Sequence, residues 1–511
     1  MFWNKKQGCF GKQLDKNIKA LIDGDYSKIP WIFCVFSEKH APSKLLASKS
    51  LSNTLDKLQF DDIIRIDSQM RQTTSMEWSI DWRKLKIGDF FTSTMNINER
   101  RAVIIFASFN PNGFIREQAI HVMADYAGTL PYIILRQNDW VVQVRQTAAR
   151  SFAKRLQNPS NGEILNALPF AEKLKWSGRG SHGVYTQSFF NKLTSPEYKE
   201  DLTNGLRSDN IRTRKICVQA LLDSSCPDFE QAFQCLKYEP DPFLRKIIYE
   251  KLCFLGQDMT ESSYTLLHDR YPANRVLALQ YLHNANKNDV LSLAQKMLLD
   301  RNARVRDLSR KIVHGYVPDF EIPPFYLEHI KSNTVAAIWG LGEIGQKSDT
   351  DMIEKYLGDS RTAVVRAAMV SLIRLNSEKY LSQIIEMLGD SRVGIVKVAQ
   401  QLIIKYGVPD YNRIQEIFHS TEFEYVKIKC VAILLSAPKW QSLIYMLEAL
   451  SCTMEDIRKL TIQAIDEWLF KFNKSFTEAT MQQKETARQL IDFQGELLPP
   501  SVKKELLFVL R

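Results

Sequence analysis

Long apolar runs are missing from this sequence. The longest, Ile29–Phe36 and Ala102–Phe109, fall far short of the roughly 20 residues that a membrane-spanning helix needs. The N-terminal stretch MFWNKKQGCFGKQLDKN lacks the apolar core of about 7–15 residues that marks a signal peptide. These absences lead to the expectation of a cytoplasmic protein with no membrane partner. Glycine and proline are sparse, 21 and 18 in 511 residues, which disfavours a turn-rich β protein and favours helix. The eight cysteines, Cys9, Cys34, Cys217, Cys226, Cys235, Cys253, Cys430 and Cys452, form no CxxC pair and no zinc spacing with histidine. Scattered, reduced and buried thiols are expected. The eight histidines do not cluster, and HExxH, GxSxG and a glycine-rich phosphate loop are all absent. No catalytic residue, metal ligand or cofactor is therefore expected.

What is present is an ordinary folded composition, 45% apolar and 25% charged, with an uneven charge. Residues 1–100 carry 16 Lys and Arg against 12 Asp and Glu, residues 101–220 carry 16 against 9, and residues 221–511 carry 36 against 37. The cationic excess belongs to the first two of these stretches and points to an acidic partner for that part.

The chain also repeats itself. YLGDSRTAVVRAAMVSLIRL from Tyr356 and MLGDSRVGIVKVAQQLIIKY from Met387 are offset by about 30 residues, the length of a short helical-hairpin repeat. The basic residue of the VR or VK pair marks the register at Arg116, Arg145, Arg214, Arg245, Arg275, Arg306, Arg366, Lys397, Lys427 and Arg458, with Ala336 filling one slot. From Arg214 to Arg458 every step has that same length of about 30 residues. The position before the marker is aliphatic in most units, as in Val144, Val305, Val365 and Val396. Three positions after it, small residues such as Ala148, Ala278 and Cys430 recur. Both fall on one helical face, where a small side chain lets a neighbouring helix approach. An aspartate precedes most markers: Asp139, Asp209, Asp241, Asp269, Asp300, Asp359 and Asp390. These are expected to be N-caps. Each unit thus reads as helix A, a short turn, and helix B carrying VRxxA. The marker and the acid are expected to pair as a ladder along the stack. The glycines of GLGEIG near Gly340 are expected to serve tight packing.

These D…VRxxA units, over residues 110–470, resemble HEAT repeats, in particular the short variety of phycobilisome-lyase-like HEAT proteins. The resemblance implies an all-α fold, a right-handed α-α superhelix of the armadillo/HEAT type with about ten to twelve helical hairpins. HEAT-like deoxyhypusine hydroxylases bind iron through His-Glu dipeptides, of which this chain has none. A bilin lyase would need a tetrapyrrole-binding cysteine or histidine, and none is evident.

The expected organisation is a divergent helical cap over 1–100, a repeat array over 101–470, and a helical C-terminal cap over 471–511. Between Arg145 and Arg214 one unit is missing from the register. It is expected at Val184, Tyr185 and Ser188, with the glycine-rich WSGRGSHG of 176–183 inserted as a loop before it.

The leading expectation is a non-enzymatic scaffold or adaptor that binds a macromolecular partner, most readily a protein, along its surface. The alternative is a nucleic-acid-binding repeat protein using the basic region 141–215. There Arg150, Lys154, Arg155, Lys173, Lys175 and Arg179 lie near Trp140 and Trp176, a mixture suited to phosphate and stacked bases. NDWVVQVRQTAAR, Asn138–Arg150, resembles the central helix of helical-repeat alkylpurine DNA glycosylases. No catalytic residue carries over from that resemblance.

Overall fold

A sequence that alternates helix-forming segments with short polar turns should fold into stacked hairpins, and it does. A computed structural model describes residues 7–73, 80–174, 177–178, 183–224 and 227–510. The elements there are α-helices and short 3-10 turns, with no strand among the described residues. No helix among them is long and apolar enough to cross a membrane. The chain divides into two units, residues 1–259 and 260–511.

The first unit opens with α1 (Gln7–Ile22), α2 (Ile29–Phe33), α3 (Ala41–Leu55) and α4 (Phe60–Gln72). Their core is aromatic. Phe33 stacks on Trp82 with centroids 6.0 Å apart, and Phe36 and Phe90 complete a fully buried cluster. Hairpins follow: α5 (Ile97–Ala107) with α6 (Gly113–Met123), α7 (Leu130–Leu135) with α8 (Val142–Gln157), and α9 (Glu163–Leu174) with α10 (Gly183–Leu193). Then come α11 (Lys199–Leu206) with α12 (Ile211–Asp223), and α13 (Phe229–Tyr238) with α14 (Pro242–Phe254).

The second unit continues in the same way, with α15 (Thr260–Leu266) and α16 (Pro272–Asn284), α17 (Val290–Met297) and α18 (Ala303–Tyr316), then α19 (Ile322–His329) and α20 (Thr334–Ile344). After α21 (Thr350–Glu354), the 25-residue α22 (Thr362–Glu386) serves two hairpins. Asn376, at φ −155° and ψ 80°, breaks it, and its side chain accepts from Lys379 N at 3.3 Å to restart the helix. Its C-terminal part pairs with α23 (Val393–Tyr406). The last hairpins are α24 (Tyr411–Ser420) with α25 (Glu424–Leu434), α26 (Lys439–Ala449) with α27 (Glu455–Phe470), and α28 (Met481–Gln494) with α29 (Pro500–Val509).

The markers from Arg116 to Arg458 all lie on second helices, with the Ala336 slot on α20. Val144, Val305, Val365, Val396, Ala148, Ala278 and Cys430 are fully buried, as the periodicity requires. This is the HEAT-type, all-helical hairpin architecture. The glycines of α20 are packing residues. A Cβ on Gly340 would stand 2.2 Å from the Tyr326 ring, and one on Gly342 would stand 2.7 Å from the Ser371 backbone.

Two expectations need correction. Of the seven aspartates, only Asp241 caps a helix with its side chain, accepting from Phe243 N and Leu244 N, both at 2.9 Å. Asp139, Asp300, Asp359 and Asp390 instead accept from the N–H two residues on, which belongs to the N-cap residue just before the helix. Two residues of turn separate these carboxylates from the helix, so they brace the turn and keep an oxygen free for another partner. Asn112, Asn210 and Asn302 do the capping. The register of the inserted unit also differs. Val184 is exposed, because α10 begins only at Gly183 and its first turn precedes the packed face; Phe189 and Leu193 are the buried residues. The expected loop falls mostly on residues outside those described.

Candidate functional site

From Arg116 to Arg306 the repeated arginine has one geometry. Its Nη1 donates to the carbonyl six residues earlier in the turn of its own hairpin. Arg116 reaches Asn110 O at 2.9 Å, Arg145 reaches Asp139 O at 2.6 Å, and Arg214 reaches Ser208 O at 2.8 Å. Arg245, Arg275 and Arg306 reach Glu239 O, Asp269 O and Asp300 O, each at 2.6 Å. The other edge of the guanidinium faces the next hairpin. Arg116 grips Asp139 through Nε and Nη2 at 2.9 and 2.8 Å, Arg214 grips Glu239 at 3.0 and 2.8 Å, and Arg275 grips Asp300 at 2.8 and 2.7 Å. Arg306 pairs with Glu343. These two-toothed pairs are the strong kind; the expected pairing with an upstream aspartate holds at Arg116 and Arg275, and glutamates take that place at Arg214 and Arg306.

Beyond Arg306 the duty moves. Arg361 pairs with Asp359 at 3.0 Å. Arg392 pairs with Asp390 at 2.8 Å while its Nη1 reaches back to Asp359 O at 3.0 Å. Both residues belong to DSR triplets, five residues before the markers Arg366 and Lys397. Lys427 donates to Phe418 O at 2.5 Å.

The most deeply buried joint lies in the first unit. Arg116, Arg136 and Asp139 are at most 1% exposed. Arg136 Nη2 also lies 2.6 Å from Asp67 Oδ1, an ion pair out of line for a hydrogen bond, and Asp67 pairs with Arg71. Burial pushes the Asp139 carboxyl up, but the Arg116 hydrogen bonds and the charges of Arg136 and Arg116 outweigh it and hold the group below its usual range. Trp140 covers this knot, its ring 5.2 Å from the Arg116 guanidinium carbon and 5.9 Å from that of Arg71. Asp67 and Arg71 carry no repeat signature, so no pattern in the sequence pointed to them.

The candidate basic residues are divided by this architecture. Lys154, exposed, pairs with Asp125 at 2.5 Å. Arg155 pairs with Glu163 at 2.5 Å and donates to Asn158 O at 2.8 Å. Arg214 and Lys215 are held by Glu239 and Glu172. Arg150 is exposed on α8 and donates to Thr147 Oγ1 at 3.1 Å, and Lys173 is exposed on α9. Trp140 and Arg145 meet at the start of α8, where Arg145 donates to Trp140 O at 3.1 Å. Lys175, Trp176 and Arg179 lie outside the described residues.

Other chemistry-bearing groups are tied up. A cavity of about 450 Å³ between the α11–α12 and α13–α14 hairpins is lined by Arg207, Arg214, Cys235, Tyr238 and Glu239. Its arginine at 214 is already paired, and burial pushes the Cys235 thiol up to about 11, away from the thiolate a nucleophile needs. Burial lifts Cys34, Cys217 and Cys430 to about 12. Among the described residues no three His, Cys, Asp or Glu side chains group as a metal site would require.

No family model matches the chain, and no curated protein matches it. Among solved structures it is similar to importin beta, with 11% sequence identity and a TM-score of 0.35, covering 99% of this chain and 83% of that one. It is also similar to Kap121p, with 12% identity and a TM-score of 0.22, covering 99% of this chain and 55% of that one. The HEAT-type assignment rests on the hairpins and on the arginine joints between them.

Proposed function

We propose that the chain is a non-enzymatic HEAT-type scaffold that binds a protein partner along its surface. The supporting observation is the fate of the basic region. Lys154, Arg155, Arg214 and Lys215 each have a carboxylate partner within the fold. Cations already matched by carboxylates release few counterions to a nucleic-acid backbone, the main source of affinity for phosphate chains. What the hairpins offer instead is a series of equivalent exposed positions, which suits recognition by surface. The test is capture of partners from native lysate by the full chain, with and without nuclease. A protein partner retained after nuclease is the expected result; loss of every partner would favour nucleic acid, with Arg150, Lys173 and Lys175 as its contacts.

A further inference from the structure

At four joints the forward edge of the marker arginine is filled. Nε and Nη2 of Arg116, Arg214 and Arg275 hold Asp139, Glu239 and Asp300 at distances from 2.7 to 3.0 Å, and Arg306 holds Glu343. The first three acids stand in the turn between the two helices of the next hairpin. There each also accepts from the N–H two residues on: Asp139 from Val141, Glu239 from Asp241 and Asp300 from Asn302. Arg145 has the same rear anchor, its Nη1 donating to Asp139 O at 2.6 Å and to Trp140 O at 3.1 Å. Its Nε and Nη2 have no partner among the described residues. The next hairpin is in place, with Phe152 of α8 against Tyr185 and Phe189 of α10 at 5.0 and 5.6 Å, but its turn brings no acid. Residues 175–182, between α9 and α10, read KWSGRGSH, without Asp or Glu.

We propose that the unpaired edge of Arg145 docks a carboxylate of a protein partner, an Asp or Glu held in a turn, in the place of the missing acid. The inference rests on the protein-binding reading above and names one contact of the partner. The half-buried guanidinium is already positioned by two carbonyls, so gripping two more oxygens costs it little further freedom. The filled edges of Arg116, Arg214 and Arg275 show what this geometry accepts: a carboxylate with both oxygens engaged. The surrounding charge is in surplus. Arg71, Arg116, Arg136 and Arg145 are linked to Asp67 and Asp139, four cations to two anions. Burial and the charge of Arg136 push Arg71 below its ordinary range, as crowding of like charges requires. Trp140, whose carbonyl anchors Arg145, is 53% exposed and offers an aromatic ring to the chain that carries the acid.

The experiment titrates the full chain into a fluorescently labelled peptide with the sequence Tyr238–Leu244, the turn that presents Glu239 to Arg214, and follows its anisotropy. A neutral peptide, with Gln and Asn at the places of Glu239 and Asp241, and a short single-stranded oligonucleotide are compared. We expect the neutral peptide to bind about tenfold more weakly, the measure of losing a charge-assisted hydrogen bond. Arg145→Lys, which keeps the charge but not the fork, should weaken the acidic peptide by about as much, and Arg150→Gln should leave it unchanged. Should Arg145→Lys disturb folding, the wild-type chain decides. Phenylglyoxal modification of Arg145, located by peptide mass spectrometry, should be blocked by the acidic peptide and not by the neutral one. No binding of the acidic peptide, equal binding of the neutral one, undiminished binding by folded Arg145→Lys, or protection of Arg145 by the oligonucleotide alone would overturn the proposal. The lysate capture separates the two failures. A nuclease-resistant partner held equally by wild type and folded Arg145→Lys removes the docking point and leaves the scaffold; no such partner for wild type removes the scaffold itself.

Discussion

At the residue scale, the buried Arg116–Asp139 joint makes the sharpest claim. Asp139→Asn leaves the Arg116 and Arg136 guanidinium groups buried without a full counter-charge. The expected loss is about 3–5 kcal/mol, read by chemical denaturation at neutral pH. The carboxyl is held below its usual range, so its contribution is present above about pH 4, where an unfolded aspartate is ionised, and fades as pH falls through the folded value. The gap between wild type and variant should therefore narrow on acidification and stay constant between about pH 6 and 8. A gap unchanged at about pH 3 would mean that the lost stability is steric. Gly342→Ala tests packing alone. Its Cβ would meet the Ser371 backbone at 2.7 Å, which neither helix can yield without shifting, and a loss of about 1–3 kcal/mol is expected in the same measurement.

At the scale of the helix pair, Val365→Asp places an unpaired carboxylate where exposure is zero; destabilisation by several kcal/mol is expected in thermal melting. The register behind that prediction was legible because burial recurs once per hairpin and one side of helix B never faces water. What the sequence concealed are relations set by three-dimensional reach. Asp300 and Asp390 look like caps because they precede apolar runs, yet the turn holds them two residues too early and frees them to bind arginine. Glu343 serves Arg306 across 37 residues, where no spacing rule points. Val184 fits the aliphatic slot by counting, but its helix starts too late for the slot to be inside. The basic region read as a candidate site from composition; the acids that match Lys154 and Arg155 stand 29 and 8 residues away.

At the scale of the molecule, stacked hairpins hold each other through neighbours, so stability is a chain of local terms and not one cooperative sum. Unfolding should therefore proceed in more than one step, with a calorimetric enthalpy above the van't Hoff value. Val365→Asp should lower the transition belonging to residues 260–511 and leave that of residues 1–259 in place. One symmetrical transition with matching enthalpies would contradict this. The arginine joint has a further consequence, for inheritance. Each arginine is anchored behind to a carbonyl of its own turn and offers its other edge ahead. Excision of residues 276–306 would leave Arg275 with Asp269 O behind it and Glu343 ahead, the partner that Arg306 now holds. Over the stretch where the joint keeps this geometry, unequal crossing-over is tolerated: a whole hairpin can be lost or duplicated and the cut faces mate again, so chain length can drift between generations.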